Sequence, residues 1–139
     1  MTANGWSKTT LDALETLDPS GLPAWRPVRH SLGLEAFGVN AWVARASGDR
    51  VIEEHDEADG DGGQEELYFV AQGRVAFTLD GERVDAPAGT FVAVRDPAVN
   101  RSAVAEEAGT VVLAVGAVRG KAFEPSAWEL RRIGQAGGE

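Results

Sequence analysis

Between Arg74 and Asp85 two runs with the alternation of β-strands, RVAFTL and ERVD, are separated by nothing but Asp80-Gly81. A two-residue connection of this kind needs positive φ at both positions, where Gly is unstrained and Asp is tolerated, and it fits a type I′ turn. The pair therefore predicts a tight antiparallel hairpin. The chain around it follows the same rhythm. Strands are expected at Leu34 to Ala46, Arg50 to His55, Glu65 to Ala71, Thr90 to Arg95, Arg101 to Ala105 and Thr110 to Val118. Turn residues such as Ser47-Gly48-Asp49, Ala86-Pro87-Ala88-Gly89 and Asp96-Pro97 stand between them. About eight short strands at such spacing predict an all-β sandwich or barrel.

The flanks read differently. Leu11, Leu14 and Leu17 recur at helical spacing after Ser7 and Thr10, which predicts a short leading helix from Trp6 to Leu17 that stops at Asp18-Pro19. Ser20 to Gly33, with Pro23, Trp25 and Pro27, predicts an irregular strap anchored by Trp25, and His30 within it is read as structural. Pro125-Ser126 precedes AWELRRI, a small amphipathic helix. The expected organisation is one domain, with residues 1–33 as helix and strap, 34–118 as barrel and 119–139 as tail.

Composition narrows the function classes. The chain has no cysteine, so disulfides, zinc-thiolate sites and thiol nucleophiles are excluded. No apolar run reaches the roughly 18 residues of a membrane span, and MTANGWSKTT has no apolar signal core. A soluble cytoplasmic protein is expected, with no membrane partner. A pI near 4.7 argues against nucleic acid, which requires a basic face.

The acidity is concentrated. Glu53 to Glu66, EEHDEADGDGGQEE, holds eight of the twenty-two acidic residues around the single histidine His55, and LYFV follows at once. Outside it, fourteen acids face thirteen Lys and Arg, so most of the net charge of −9 belongs to this segment. A charge run fused to a β-type apolar run draws its last carboxylates toward a core. An EF-hand register beginning at Glu57 fails, because position twelve falls on Tyr68 in place of a bidentate Glu.

Gly48, His55, Glu57, Glu66 and Gly73, followed by Pro87-Ala88-Gly89, the run TFVAV and the turn Arg95-Asp96-Pro97, resemble in order the two motifs of the cupins. The resemblance covers Leu34 to Val118. It implies a single cupin barrel, a double-stranded β-helix of jelly-roll type, carrying a short helix at each end. It also implies a divalent metal such as manganese, iron(II), zinc or nickel, no organic cofactor, and a small-molecule ligand. Mapped residue by residue, the metal ligands would be His55, Glu57, Glu66 and Asn100. Two of these depart from the family pattern, since Glu57 and Asn100 stand where histidines are usual, and the loop before Glu66 is longer than the norm.

Two-residue alternation along the strand would place Glu53 and Glu57 on the side of His55, with Glu54 and Asp56 outward, and Glu66 and Tyr68 on one face together. One imidazole with carboxylates suits a divalent ion with a preference for oxygen. Glu66 and Tyr68 are the candidates for moving a proton in an isomerase, oxygenase or decarboxylase reaction. The alternative is a metal-free sensor or binding module without catalysis. Surrounding acids should raise the His55 pKa above roughly 6.5, so that metal affinity falls from about pH 8 to about pH 6. Outward Leu67 and Phe69 predict a homodimer, unless the leading helix and strap cover them.

Overall fold

The computed structural model of the chain describes residues 5–16, 24–58 and 63–136. Among the described residues nine strands form two antiparallel sheets. The five-stranded sheet runs β1 (Ala24–Arg26), β2 (Gly38–Val43), β9 (Val111–Val118), β4 (Gln64–Gln72), β7 (Phe91–Val94). The four-stranded sheet runs β3 (Arg50–His55), β8 (Arg101–Ala105), β5 (Arg74–Leu79), β6 (Glu82–Pro87). Non-sequential strands are neighbours in both, as a jelly-roll topology requires. The sheets face each other without closing into one ring of paired strands among the described residues.

Alternation fills the space between them. Tyr68, Val70, Val92, Val94 and Val112 from one sheet meet Val75, Phe77, Ala86, Ala103 and Ala105 from the other in a single buried cluster. The Tyr68 and Phe77 rings lie 5.6 Å apart at its centre. The hairpin forms as the sequence predicts, with Leu79 opposite Glu82. Asp80 at φ 49° is the one positive-φ residue other than glycine among those described, and Gly81 follows at φ 84°.

The flanks correct two expectations. In place of a leading helix there is a single 3₁₀ turn, Leu11–Ala13, whose cap is Thr10, its hydroxyl accepting from the Ala13 N–H at 3.2 Å. The expected end of that helix, Leu17 to Pro19, lies outside the described residues. So short a segment gains little from helical hydrogen bonds alone. Leu11 and Leu14 instead lie beside Phe69, Leu113, Val28 and Leu32 at a groove over the outer face of the five-stranded sheet. That face remains only partly covered, since Leu67 is 38% and Phe91 65% exposed.

From Ala24 onward the strap is also more regular than its composition suggests, Ser20 to Pro23 lying outside the described residues. Trp25 sits in β1, opposite Trp42 of β2, and a five-residue helix α1 (Val28–Leu32) follows, ended by Gly33 at φ 69°. Trp25 is the anchor expected: it is fully buried, and its indole N–H donates to Asn40 Oδ1 at 2.8 Å. His30 is exposed on α1. The final helix, α2 (Ala127–Ala136), is fixed by a buried ion pair between Glu129 and Arg29 of α1. No helix among the described residues is long and apolar enough to cross a membrane.

Candidate functional site

His55 ends β3, and two register shifts in that strand decide where it points. Arg50 pairs with Val104, Ile52 with Ala103 and His55 with Arg101, so β3 contains irregularities on both sides of Ile52. As a result Ile52 and His55, three apart, both line the same pocket, which strict alternation forbids. Glu53, His55 and Glu57 line that pocket as alternation expects and Glu54 does not, but Ile52 and Asp56 line it as well, so strict alternation does not hold for this segment.

Glu57 reaches the site although the strand ends at His55. Asp56 Oδ1 accepts from the Ala58 N–H at 3.1 Å, an Asx turn, while the Glu57 N–H donates to Pro97 O at 2.7 Å. This turn swings the Glu57 side chain inward, where the residue is only 7% exposed. Glu66 arrives from β4 opposite Gly116 of β9. A Cβ at Gly116 would lie 2.7 Å from Gln64 Oε1 and 3.3 Å from Glu66 Cγ, so the lone glycine in VVLAVGAV makes room for the carboxylate.

The three side chains converge. His55 Nε2 lies 2.9 Å from Glu57 Oε2 and 3.6 Å from Glu66 Oε1. On the other side of the ring, Nδ1 lies 2.8 Å from the Glu53 carbonyl. Donation from Nδ1–H to that carbonyl fixes the ring and turns Nε2 toward the carboxylates. The Tyr68 hydroxyl donates to Glu66 Oε1, and Arg101 Nη1 donates to the same oxygen at 2.7 Å.

Asn100, expected as the fourth ligand, is not brought to this group. It is exposed, its amide donates to Glu54 Oε2 at 2.8 Å, and its backbone N–H donates to Asp80 Oδ1 at 2.8 Å. The inward position belongs to the next residue, Arg101, which faces His55 across the β3–β8 ladder and is fully buried. Sequence reasoning missed Arg101 and Gly116. The available signal for Arg101 was phase: Arg101, Ala103 and Ala105 share one side of RSAVA, and the two alanines on that side are buried.

Electrostatics follow from this packing. Hydrogen bonds to Glu57 and then Glu66, opposed by burial, raise the His55 pKa from 6.5 to about 10. Burial pushes the Glu66 carboxyl upward, but hydrogen bonds from His55 and Tyr68 and the charges of His55 and Arg101 outweigh it and hold the group below its usual value. Burial, then the charge and hydrogen bond of Glu66, raise Tyr68 well above an ordinary phenol.

The donor set fits a divalent cation. Ligand atoms of His55, Glu57 and Glu66 all lie within 4.8 Å of one another, and the imidazole is already oriented by its second nitrogen. Mixed nitrogen and oxygen ligands suit such ions. Arg101 stands beside this group, with Nη1 2.7 Å from Glu66 Oε1.

The pocket above these groups has a volume of about 340 Å³, near the lower end of small-molecule sites, roughly 300–1,000 Å³. Asn40, Trp42, Ile52 and Ala114 form its walls, and Trp128 and Arg132 of α2 stand over it.

No protein-family model matches the chain, and no curated protein matches it in sequence. Solved structures do. KdgF from Halomonas sp. is 16% identical at TM-score 0.62, over 86% of this chain and 96% of that one. A sugar phosphate isomerase of the cupin superfamily from Silicibacter pomeroyi is 19% identical at TM-score 0.62, over 81% and 76%. Streptomyces PAC13, solved with uridine, is 15% identical at TM-score 0.58, over 79% and 80%. At such identities the likeness speaks for the fold alone. Two facing antiparallel sheets, the interleaved strand order and these neighbours together establish that the chain has the all-β fold of the cupin superfamily.

Proposed function

We propose that the pocket binds a small polar molecule over a divalent cation held by His55, Glu57 and Glu66. The observation that carries this reading is the convergence of the three donor groups within 4.8 Å, with His55 locked in orientation on the Glu53 carbonyl. A bound ion would act as a Lewis acid toward an oxygen of the ligand. The chain's own groups would hold the ion's ligands in place: Arg101 and Tyr68 keep Glu66 ionised and aimed. Proton transfer by Glu66 or Tyr68 is poorly supported, because their pKa values move away from neutrality in opposite directions. Binding is therefore the better-supported role. The relatives in fold include a sugar phosphate isomerase and a protein that takes uridine, both consistent with a small polar ligand.

A metal-free binding module is the second reading, favoured by charge balance. Protonated His55 and Arg101 offset Glu57 and Glu66 without any ion.

Proton counting separates the two. With a pKa of about 10 in the ion-free protein, His55 is protonated at neutral pH and must lose its proton to ligate. Calorimetric titration with Mn²⁺ in two buffers of different ionisation enthalpy, on protein purified without a nickel column, should show about one proton released per ion. Apparent affinity should rise roughly tenfold per pH unit from pH 6.5 to 8.5. The competition thus extends well above the window of pH 8 to 6 expected from the sequence. His55→Ala should abolish the proton release and most of the affinity. No ion binding, or binding without pH dependence, would leave the metal-free module as the account. Stability of the ion-free protein gives the complementary sign. The folded-state pKa exceeds the unfolded value of roughly 6.5, so protonated His55 stabilises the fold fully below that pH. The contribution is lost as pH rises through about 10.

A second copy of the chain is the occupant we propose for the exposed Leu67 and Phe91 on the outer sheet face. Light scattering at micromolar concentration should give twice the chain mass; a monomer-sized species alone would remove this proposal.

A further inference from the structure

Helix α2 does more than cap the sandwich. Its Trp128 joins Trp25 and Trp42 in a cluster of three indoles, with ring centroids 5.1 and 6.1 Å from Trp128. Arg132 follows one turn later, on the same helix face, and its guanidinium carbon lies 5.8 Å from the Trp128 ring centroid. Trp42, Trp128 and Arg132 all line the pocket that holds His55, Glu57 and Glu66. Among the described residues Arg132 forms no ion pair with a carboxylate, although Glu53 and Asp56 line the same pocket. In a chain of net charge −9, a guanidinium that lines a pocket and has no carboxylate partner among the described residues keeps its paired donors open to a ligand.

We propose that α2 supplies the second half of the ligand site. Trp42 and Trp128 accept a flat apolar face, and Arg132 pairs with an anionic group at the end of the ligand remote from His55. The inference rests on the reading of the pocket as a small-molecule site and adds the ligand class: a molecule with a flat apolar face that ends in a carboxylate or a phosphate. A cation is disfavoured on the face of Trp128 that Arg132 already occupies. The Arg29–Glu129 pair fixes the register of α2, and so holds Trp128 next to Trp25.

Four probes test this on the whole chain: ribose 5-phosphate and glucuronate against their uncharged parents ribose and glucose. Binding is read from tryptophan fluorescence and from the His55 and indole N–H signals in NMR spectra. At least one charged probe should bind tenfold or more tightly than its parent. Arg132→Gln should erase that advantage, weakening the charged probe at least tenfold more than its parent, and Arg132→Lys should restore part of it. The arm that responds, phosphate or carboxylate, identifies the anion. Equal binding of charged and neutral probes, or an advantage that survives Arg132→Gln, would overturn the α2 subsite while the pocket reading stands. If none of the four perturbs His55 or the indoles, the α2 subsite falls, and the small-molecule reading with it for this class of ligand.

Discussion

Arg101→Met is expected to lower the unfolding free energy by about 3–5 kcal/mol, the usual cost of removing one partner from a buried ion pair. The side chain has no solvent exposure. Besides the Glu66 contact, its Nη2 donates to Val99 O at 2.9 Å and Pro97 O at 3.2 Å, and Nε donates to Val99 O at 3.1 Å. Methionine fills similar volume and makes none of these bonds. Glu66 would lose a charge that holds its carboxyl low, and the Pro97 carbonyl, which also receives the Glu57 N–H, would lose one of two donors. Urea denaturation at pH 7 measures the loss. The double variant Glu66→Gln/Arg101→Met should be less destabilised than the sum of the single changes, because no carboxylate is then left unpaired. A loss below about 1 kcal/mol for Arg101→Met would mean that the guanidinium is a bystander in the site.

Gly73→Ala is the second large effect expected, about 2–5 kcal/mol, combining left-handed backbone strain with a forced overlap. Gly73 has φ 80°, and a Cβ there would lie 2.2 Å from Thr110 Oγ1 and 2.8 Å from Thr110 Cα. Thr110 cannot retreat. It is fully buried, with its hydroxyl donating to Glu107 O at 2.8 Å and accepting from the Arg74 N–H at 3.3 Å. Gly89→Ala is the control, since Gly89 shares the positive φ, at 93°, but has nothing within 4 Å of a new Cβ. It should lose only the conformational part, about 1–2 kcal/mol. Equal thermal shifts for the two variants would show that the Thr110 contact is irrelevant.

Local patterns made most of the strand order legible. The hairpin at Asp80-Gly81 was readable because its determinants are adjacent in sequence, and β3, β5 and β8 have the boundaries that alternation predicts. The convergence of His55, Glu57 and Glu66 was legible as a set, yet for a reason that was partly wrong. Alternation was to bring Glu57 inward, whereas a turn held by Asp56 and Pro97 does so. Bulges in β3 leave no signature in RVIEEH, because they depend on how β8 seats against it. The same kind of slip separates Asn100 from Arg101. The motif spacing selected the residue just before β8, and the ladder placed its neighbour inside. The roles of Trp128 and Arg132 rest on docking of α2 across the chain, which no window of sequence contains.

The pair between Arg29 and Glu129 joins residues 100 positions apart. Ordering so long a connection costs entropy that the strand ladders repay first, so helix docking comes after the sheets have assembled. Detaching α2 breaks that pair and the indole contacts but no ladder, and so costs less than unfolding the domain. The pocket floor therefore persists in a state whose roof is lifted. Ligand entry and escape would then be eased by this partial opening, and a solute too large for the docked state would still reach His55 once the helix is lifted.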